Sequence, residues 1–283
     1  MNVLKPLRLG QTVSVRGSDF LGRDGCICFR PAPNPRDLSW EWVTKKKAAR
    51  VRVGPGIVDV SSRRIQLKHD DEHLNVWEHV GILKYFGLMS VSVSSTEWPP
   101  YHGRSLELWH AVKDHCWEDG RSEIPLYTVK RPVRFEYPSL RGGHKAFTEI
   151  WPTNDACVDM EVSASFSGLG TGGKSFSTNS TKSLEDMCSA RALGWPSWLY
   201  HPSKVADWLH LWPHHRTVAW KQNCRNPSVL FSETLTHRAQ DILGALSLLC
   251  GDGLFVGRII SVCSGHEADI QAILKAAAML KRI

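Results

Sequence analysis

The sequence has no uninterrupted apolar run of the length that a membrane-spanning helix needs, which is about 20 residues. Its longest apolar stretch, Ile242 to Cys263, is broken by Asp252 and Arg258. The first ten residues, MNVLKPLRLG, also lack the apolar core of a secretory signal peptide. We therefore expect a cytoplasmic protein that does not cross a membrane.

Paired cysteine motifs are absent as well. The eight cysteines are scattered along the 283 residues, and no two of them form a CxxC motif. Cys26 and Cys28 are two residues apart in an alternating segment, so they face the same side of a strand and lie too close for an easy disulfide. Disulfides persist in oxidising compartments, and we expect all eight cysteines to be reduced.

The composition shows neither the charge excess nor the shortage of apolar residues that keeps a chain disordered. Hydrophobic residues make up 42% and charged residues 22%, so the chain can bury a large core in one domain or two. The net charge of +7 suits a phosphorylated substrate, an anionic membrane surface or nucleic acid. Part of this charge is the run Lys45–Lys47, for which a solvated basic edge is the simpler interpretation.

The predicted order of elements indicates two similar halves. Each half ends with a helix, a buried strand, a turn and a second helix, and its long helix carries a histidine at or near its start: His79 in the first half and His237 in the second. We predict an α+β fold of two similar domains, residues 1–126 and 127–283, each a small, mostly antiparallel sheet packed with helices. Clefts between domains are favoured sites, so we expect a metal site at this interface.

His237 and Asp241 form the strongest local signal for chemistry. They lie four residues apart on a predicted helix and hence on one face, where a nitrogen and an oxygen ligand can bind one divalent metal ion. Glu78 and His79 begin the apolar helix of the first half, where one side chain can bind a metal and the other can reach a nearby water. A solvated helix face is the commoner setting for a pair such as the first, and a favourable charge at a helix N-terminus explains the second.

Three further segments carry weaker signals. His266 follows a predicted buried strand, at a turn where functional groups are often held, although an exposed segment that caps a helix fits as well. Residues 168–175, GLGTGGKS, match the phosphate-loop pattern G-x-x-x-x-G-K-[ST]. That loop must open into a helix, and the FSTNSTKS that follows predicts none. Residues 195–220 are rich in Trp and His and fit an apolar passage, a membrane-facing patch or a partner surface.

Taken in order, these segments resemble the zinc-dependent UDP-3-O-acyl-N-acetylglucosamine deacetylases of lipid A biosynthesis over nearly the whole chain. The segment beginning WEHVGILKYFG resembles the family's E-H-L helix and the strand after it. SARALGW resembles the family's A-R-T-F-G-F, and THRAQDILGALSLLCGD with the later SGH resembles H-K-x-L-D-x-x-G-D-L…S-G-H. The E-H helix and this last block are specific, because their order, spacing and context all agree.

The resemblance implies roles for five residues. His79, His237 and Asp241 would bind zinc, which leaves a position open for water or a carbonyl oxygen. Glu78 would be the general base, and His266 would stabilise the oxyanion and protonate the leaving amine. The resemblance also implies that the substrate is an acylated UDP-amino-sugar or a similar small amphiphile. It further implies transient contact with the inner membrane surface, a monomeric state and no nucleic-acid partner.

Three more residues would contact the substrate: Arg238, which stands where the family has lysine and would face the diphosphate, together with Arg191 and Leu193. Two positions depart from the family pattern. Ala192 replaces a threonine that donates to the oxyanion, and such a loss typically costs about 10²–10³ in rate. Ala245 replaces a second aspartate that orients or charges the catalytic histidine. A catalytically weakened or non-catalytic zinc-binding relative is therefore the alternative function, and a phosphate-loop nucleotide-binding protein is the third.

Overall fold

The structure is a computed structural model that describes residues 5–18, 24–34, 37–61, 64–96, 105–120, 123–137, 146–166, 169–193, 201–202, 205, 218–219 and 226–283. The first half of the chain contains, in order, β1 (Leu7–Leu9), β2 (Val13–Ser18), β3 (Asp24–Pro31), β4 (Trp40–Val43), β5 (Arg50–Arg52), a 3-10 turn (Pro55–Ile57), β6 (Val58–Ser61), β7 (Arg64–His69), β8 (Glu72–Leu74), α1 (Trp77–Gly81), a 3-10 helix (Ile82–Phe86), β9 (Val91–Ser95), α2 (Ser105–Lys113) and β10 (Cys116–Glu118).

The second half is built from the same kinds of elements. It contains β11 (Leu126–Val129), β12 (Val133–Tyr137), β13 (Ala146–Trp151), β14 (Val158–Phe166), β15 (Gly170–Ser177), α3 (Thr181–Cys188), β16 (Ala192–Leu193), β17 (Val218–Ala219), α4 (Pro227–Leu246), β18 (Leu254–Phe255), β19 (Gly257–Val262), α5 (His266–Ala277) and β20 (Leu280–Arg282). Among the described residues, no helix is long and apolar enough to cross a membrane.

Two five-stranded sheets share one topology. Their strand orders are β2-β3-β9-β4-β5 and β12-β13-β19-β14-β15. In each sheet the central strand, β9 or β19, is antiparallel to one neighbour and parallel to the other. The predicted α+β fold of two similar domains with mostly antiparallel sheets is thereby confirmed. The boundary between residues 126 and 127 stays a prediction; Leu126 begins β11, which pairs with β18 and β20.

The phosphate-loop match GLGTGGKS, residues 168–175, lies on a strand from Gly170 onward rather than at the start of a helix, and Gly168 is outside the described residues. Gly170–Ser177 form β15, which pairs with β14 along its whole length, from Asp159 opposite Ser177 to Phe166 opposite Gly170. The next helix, α3, begins only at Thr181. A phosphate loop needs the N-terminus of a helix directly after the lysine, so this segment lacks the geometry that the nucleotide-binding alternative requires.

Side-chain hydrogen bonds from α1 and the 3-10 helix connect the first half of the chain to the second. The Trp77 indole donates to Ser247 Oγ at 3.1 Å, and the Tyr85 hydroxyl donates to the Phe255 carbonyl at 3.2 Å. Lys84 is 1% exposed, and its ammonium group donates to the carbonyls of Ser247 and Cys250 just beyond α4. These contacts place α1 against α4, the two helices that carry the histidines singled out from the sequence.

Candidate active site

The contact between α1 and α4 depends on two glycines. A Cβ atom at Gly244 would overlap the backbone carbonyl group of Glu78. A Cβ atom at Gly81 would likewise overlap the side chains of Ser247 and Trp77. Because neither position carries a side chain, the two helices approach closely enough to bring the residue after Glu78, His79, beside the polar face of α4.

His79, His237 and Asp241 meet at this contact. One ligand atom from each of the three side chains lies within 4.8 Å of the other two. The imidazole rings of the two histidines have centroids 5.3 Å apart, and His237 Nε2 lies 3.4 Å from Asp241 Oδ1. His79 and Asp241 are buried, whereas His237 is half-buried. Two imidazole nitrogens and one carboxylate oxygen are a donor set that catalytic zinc sites use.

One atom of this cluster supports a metal ligand role directly. Asp241 Oδ1 is buried and has no hydrogen-bond partner in the described part of the chain. A buried carboxylate oxygen without a partner is costly, and a divalent cation between Asp241 and the histidines would supply the missing partner. The residues present therefore fit a metal ion of the zinc type.

The protonation states suit metal binding. Burial and the neighbouring His237 lower the pKa of His79 to about 3, so its imidazole is neutral. Burial alone would raise the pKa of Asp241, but attraction to His237, His266 and Arg238 outweighs it and holds that pKa below its usual value. A neutral histidine and an ionised carboxylate are the forms that bind a metal ion.

Gln240 orients His79. It is fully buried, and its amide Nε2 lies 2.7 Å from His79 Nδ1, while its Oε1 has no partner among the described residues. With the amide turned over, Oε1 accepts a hydrogen bond from Nδ1–H, and Nε2 is then the ring nitrogen whose lone pair would face a metal. His237 has a similar neighbour, because the Ala190 carbonyl lies 3.4 Å from its Nδ1.

Glu78 is 2% exposed, and its Oε2 accepts a hydrogen bond from the backbone N–H of Ile65 at 3.0 Å. Burial, followed by repulsion from Asp241, raises the pKa of Glu78 well above its usual value. A cation held by His79, His237 and Asp241 would lower the pKa of Glu78 again, because it would attract the ionised carboxylate. A buried carboxyl group with a perturbed pKa can serve as a general base once positive charge nearby favours its ionised form.

His266 begins α5, and its imidazole comes close to Asp241. Its Nε2 lies 3.9 Å from Asp241 Oδ2, and its Nδ1 is buried without a partner in the described residues. Burial lowers the pKa of His266 below its usual value. Ala245, which is fully buried, offers no carboxylate to this histidine.

The three predicted substrate contacts have different surroundings. Arg238 makes ion pairs with Asp241 and Asp269. Arg191 forms a two-pronged ion pair with Glu233, at 2.7 and 2.8 Å. Leu193 lies in β16, and the structure describes its backbone only. The Trp- and His-rich residues 195–220 also lie outside them, apart from 201–202, 205 and 218–219.

A cavity of about 670 Å³ lies between β15, α3 and the first turns of α4. Its wall includes Ala190, whose carbonyl lies close to the His237 ring, and Thr236, the residue before His237. Lys174, the lysine of the GLGTGGKS segment, also lines it and donates to Thr236 Oγ1 at 3.0 Å. The cavity offers a small ligand space beside one of the candidate ligands.

Backbone strain marks both segments that deliver histidines from outside α4. Val76 has a φ of 53° and precedes His79 by three residues, and Cys263 has a φ of 48° and precedes His266 by three residues. Residues other than glycine rarely adopt this left-handed region, and such strain clusters at functional sites. A left-handed residue thus lies three positions before each of these two histidines.

Sequence reasoning missed Gln240 and Asp269, which contact the predicted site residues His79 and Arg238. One signal was available for Gln240, because it stands where the family pattern H-K-x-L-D has an apolar leucine. Asp269 lies in the first turn of α5, where an acidic residue is favourable in any helix, so nothing in the sequence distinguished it.

The fold and this cluster define a two-domain α+β protein whose donor set suits a metal-dependent hydrolase. The LpxC family model, UDP-3-O-acyl N-acetylglycosamine deacetylase, matches residues 8–278 of the 283-residue chain. The chain therefore belongs to this family of lipid A pathway deacetylases, as the motifs predicted. No individual curated protein matches the chain.

Proposed function

We propose that this chain is a zinc-dependent deacetylase that hydrolyses the N-acetyl amide of an acylated UDP-N-acetylglucosamine. The observation that carries the proposal is the convergence of His79, His237 and Asp241, whose buried Oδ1 has no hydrogen-bond partner within the described part of the chain. Family membership supplies the reaction class and the substrate class. The net charge of +7 suits a substrate with a diphosphate group.

Zinc bound by these three residues would lower the pKa of a water to about 7 and polarise the amide carbonyl. Glu78 then takes a proton from the attacking water. His266 donates a proton to the departing amine, so that the amide C–N bond breaks and acetate leaves. Glu78 and His266 approach Asp241 from different elements, α1 and α5, which allows them to act as separate base and acid.

The carboxyl group of Glu78 must be ionised to act as a base. In the protein alone, burial and Asp241 favour its neutral form. A divalent cation at the cluster adds positive charge next to both carboxylates and shifts Glu78 towards the ionised form. In this proposal, metal binding therefore favours the ionised form of Glu78, which is the form that can accept a proton.

A zinc-binding relative with little or no catalysis is the second candidate. Ala192 and Ala245 favour it, since the family pattern has an oxyanion donor at the first position and a carboxylate for the catalytic histidine at the second. His266 Nδ1 has no hydrogen-bond partner among the described residues. If catalysis persists, we expect a rate lower by about 10²–10³ than a site with the missing donor would give. We further propose that the protein is a cytoplasmic monomer that meets its acylated substrate at the inner membrane surface.

The experiment that separates these candidates measures acetate release from an acylated UDP-N-acetylglucosamine by zinc-loaded wild-type protein and by Glu78→Ala. We expect the variant to keep its zinc and to lose activity by about 10²–10⁴, the usual contribution of a general base. Glu118→Ala, at an exposed glutamate that pairs only with Lys5 among the described contacts, is the matched control and should retain activity. Equal inactivity of wild type and Glu78→Ala would favour the non-catalytic candidate.

A further inference from the structure

Arg238 is engaged on both sides by carboxylates inside the protein. Its Nη1 lies 3.3 Å from Asp241 Oδ2, and its Nη2 makes an ion pair with Asp269 Oδ2. The Arg238 side chain is only 14% exposed, and the carboxylates of Asp241 and Asp269 are 3% and 2% exposed. Both ends of the guanidinium group are thus occupied before any substrate arrives.

Asp269 is itself held by two hydroxyl groups. Thr148 on β13 donates to its Oδ1 at 2.7 Å, and Ser264 in the turn before α5 donates to the same atom at 2.9 Å. Asp269 lies three residues after His266 in α5. The chain of contacts from Asp269 through Arg238 to Asp241 therefore ties α5, which carries His266, to α4, which carries two of the candidate metal ligands.

The two oxygens of Asp241 have different environments. Oδ2 faces Arg238 at 3.3 Å and His266 at 3.9 Å, whereas Oδ1 faces His237 and has no hydrogen-bond partner among the described residues. Arg238 bridges the two carboxylates, with Nη1 on Asp241 Oδ2 and Nη2 on Asp269 Oδ2, so its charge-assisted contact holds Oδ2 of Asp241 on the side of α5. The other oxygen then points to the place where the three candidate ligands converge.

We propose that Arg238 and Asp269 form a positioning clamp, which aims Asp241 Oδ1 at the metal and fixes the separation between Asp241 and His266. This inference rests on the proposed function. It gives Arg238 a different role from the substrate diphosphate contact that the sequence predicted. It also explains how His266 is positioned although Ala245 supplies no carboxylate: the ion pair of Asp269 with Arg238 anchors α5, the helix that His266 begins.

Zinc affinity tests the clamp directly. We expect Asp269→Asn to keep the shape of the side chain, remove the ion pair with Arg238 and weaken zinc binding by about 10–100-fold, the usual effect of a lost outer-shell partner. Arg238→Lys keeps the charge but loses the two guanidinium nitrogens that contact Asp241 and Asp269 separately, and it should weaken zinc binding by about tenfold. The affinity is measured by competition with a chelator at fixed pH. The absorption spectrum of the cobalt-loaded protein reports whether the coordination geometry has changed.

Asp119→Asn is a matched control. Asp119 pairs with Arg8 in the first half, and their side chains are 3% and 10% exposed, close to the burial of the Asp269–Arg238 pair. We expect Asp119→Asn to lower stability towards urea and to leave zinc affinity and the cobalt spectrum unchanged. A purely structural role for Asp269 would make the two variants behave alike.

The possible outcomes separate this inference from the proposed function. If wild type binds zinc and both clamp variants bind it equally well with unchanged cobalt spectra, the clamp is wrong and the proposed function stands. An Arg238→Lys variant that raises KM while kcat and zinc affinity stay constant would restore the substrate role and overturn the clamp. Should Asp269→Asn fail to fold, Arg238→Lys carries the same test. A wild-type protein that binds no zinc would overturn both proposals.

Discussion

The backbone of Gly244 in α4 packs directly on the backbone of Glu78 in α1, with no room for a Cβ atom between them. This contact joins the two halves of the chain at the point where their candidate functional residues meet. His79 follows Glu78, and Asp241 lies three residues before Gly244 on the same helix. The geometry of the cluster is therefore set by how closely these two backbones approach.

Gly244→Ala should consequently damage both stability and the cluster. The added methyl group must push α1 away from α4, and such overpacking typically costs about 1–3 kcal/mol. Alanine regains up to about 1 kcal/mol of helix propensity, so the net loss measured by urea unfolding should be smaller than the overpacking cost alone. Zinc affinity should fall with it.

Gly56→Ala is the control for that substitution, since a Cβ atom there meets nothing within 4 Å. We expect a change in the free energy of unfolding of less than about 0.5 kcal/mol and no change in zinc binding. A Gly244→Ala variant with wild-type stability and zinc affinity would show that the helices do not need this close approach.

Gln240→Leu should weaken zinc binding by about tenfold while the protein stays folded. The substitution removes the amide group that lies 2.7 Å from His79 Nδ1 and so loosens the orientation of that imidazole. Gln240→Glu, which keeps an acceptor at this position, should restore most of the affinity. Unchanged affinity in Gln240→Leu would mean that Ser105, whose Oγ lies 3.5 Å from the same nitrogen, suffices to orient His79.

Lys84 should make stability depend on pH above neutrality. Burial lowers its pKa from 10.5 to about 8 in the folded protein. Between these values the unfolded chain binds more protons at this residue than the folded one, so the contribution of Lys84 to stability rises as pH increases from about 8 to 10.5. The gain is at most about 3 kcal/mol over that window.

The measurement compares wild type with Lys84→Met in urea unfolding at several pH values. Methionine is of similar length and does not titrate, so the difference between the two free energies of unfolding isolates the titration of Lys84. That difference should shift in favour of wild type as pH rises through the window. A difference that is constant with pH would contradict the lowered pKa.

The sequence predicted the parts of the structure that depend on pattern and order. The repeat of helix, strand, turn and helix predicted two similar α+β halves, and the two five-stranded sheets share one topology. The four-residue spacing of His237 and Asp241 placed them on one face of a helix. Composition and spacing do not show how α1 packs on α4. The matching positions of His79 and His237 in the two halves indicated a site at their interface, and the family resemblance implied that His79 joins His237 and Asp241.

The parts that could not be predicted depend on contacts between distant segments. The sequence does not show that Arg238 is enclosed by Asp241 and Asp269, which belong to different helices. The phosphate-loop pattern shows that a motif can match by sequence alone and still be misleading. The letters of GLGTGGKS match, but from Gly170 onward the segment pairs with β14 as a strand. A local motif gives the residue types, but the segments that pack against it determine its conformation and its contacts.

Metal content tests the central claim most directly. Zinc per chain is measured on purified wild-type protein and on His237→Ala, both equilibrated with zinc and then freed of excess metal. We predict about one zinc ion per chain in wild type and almost none in the variant, because two remaining ligands hold zinc poorly. A wild-type protein without zinc, or a His237→Ala variant that retains a full equivalent, would contradict the assignment of His79, His237 and Asp241 as the metal site.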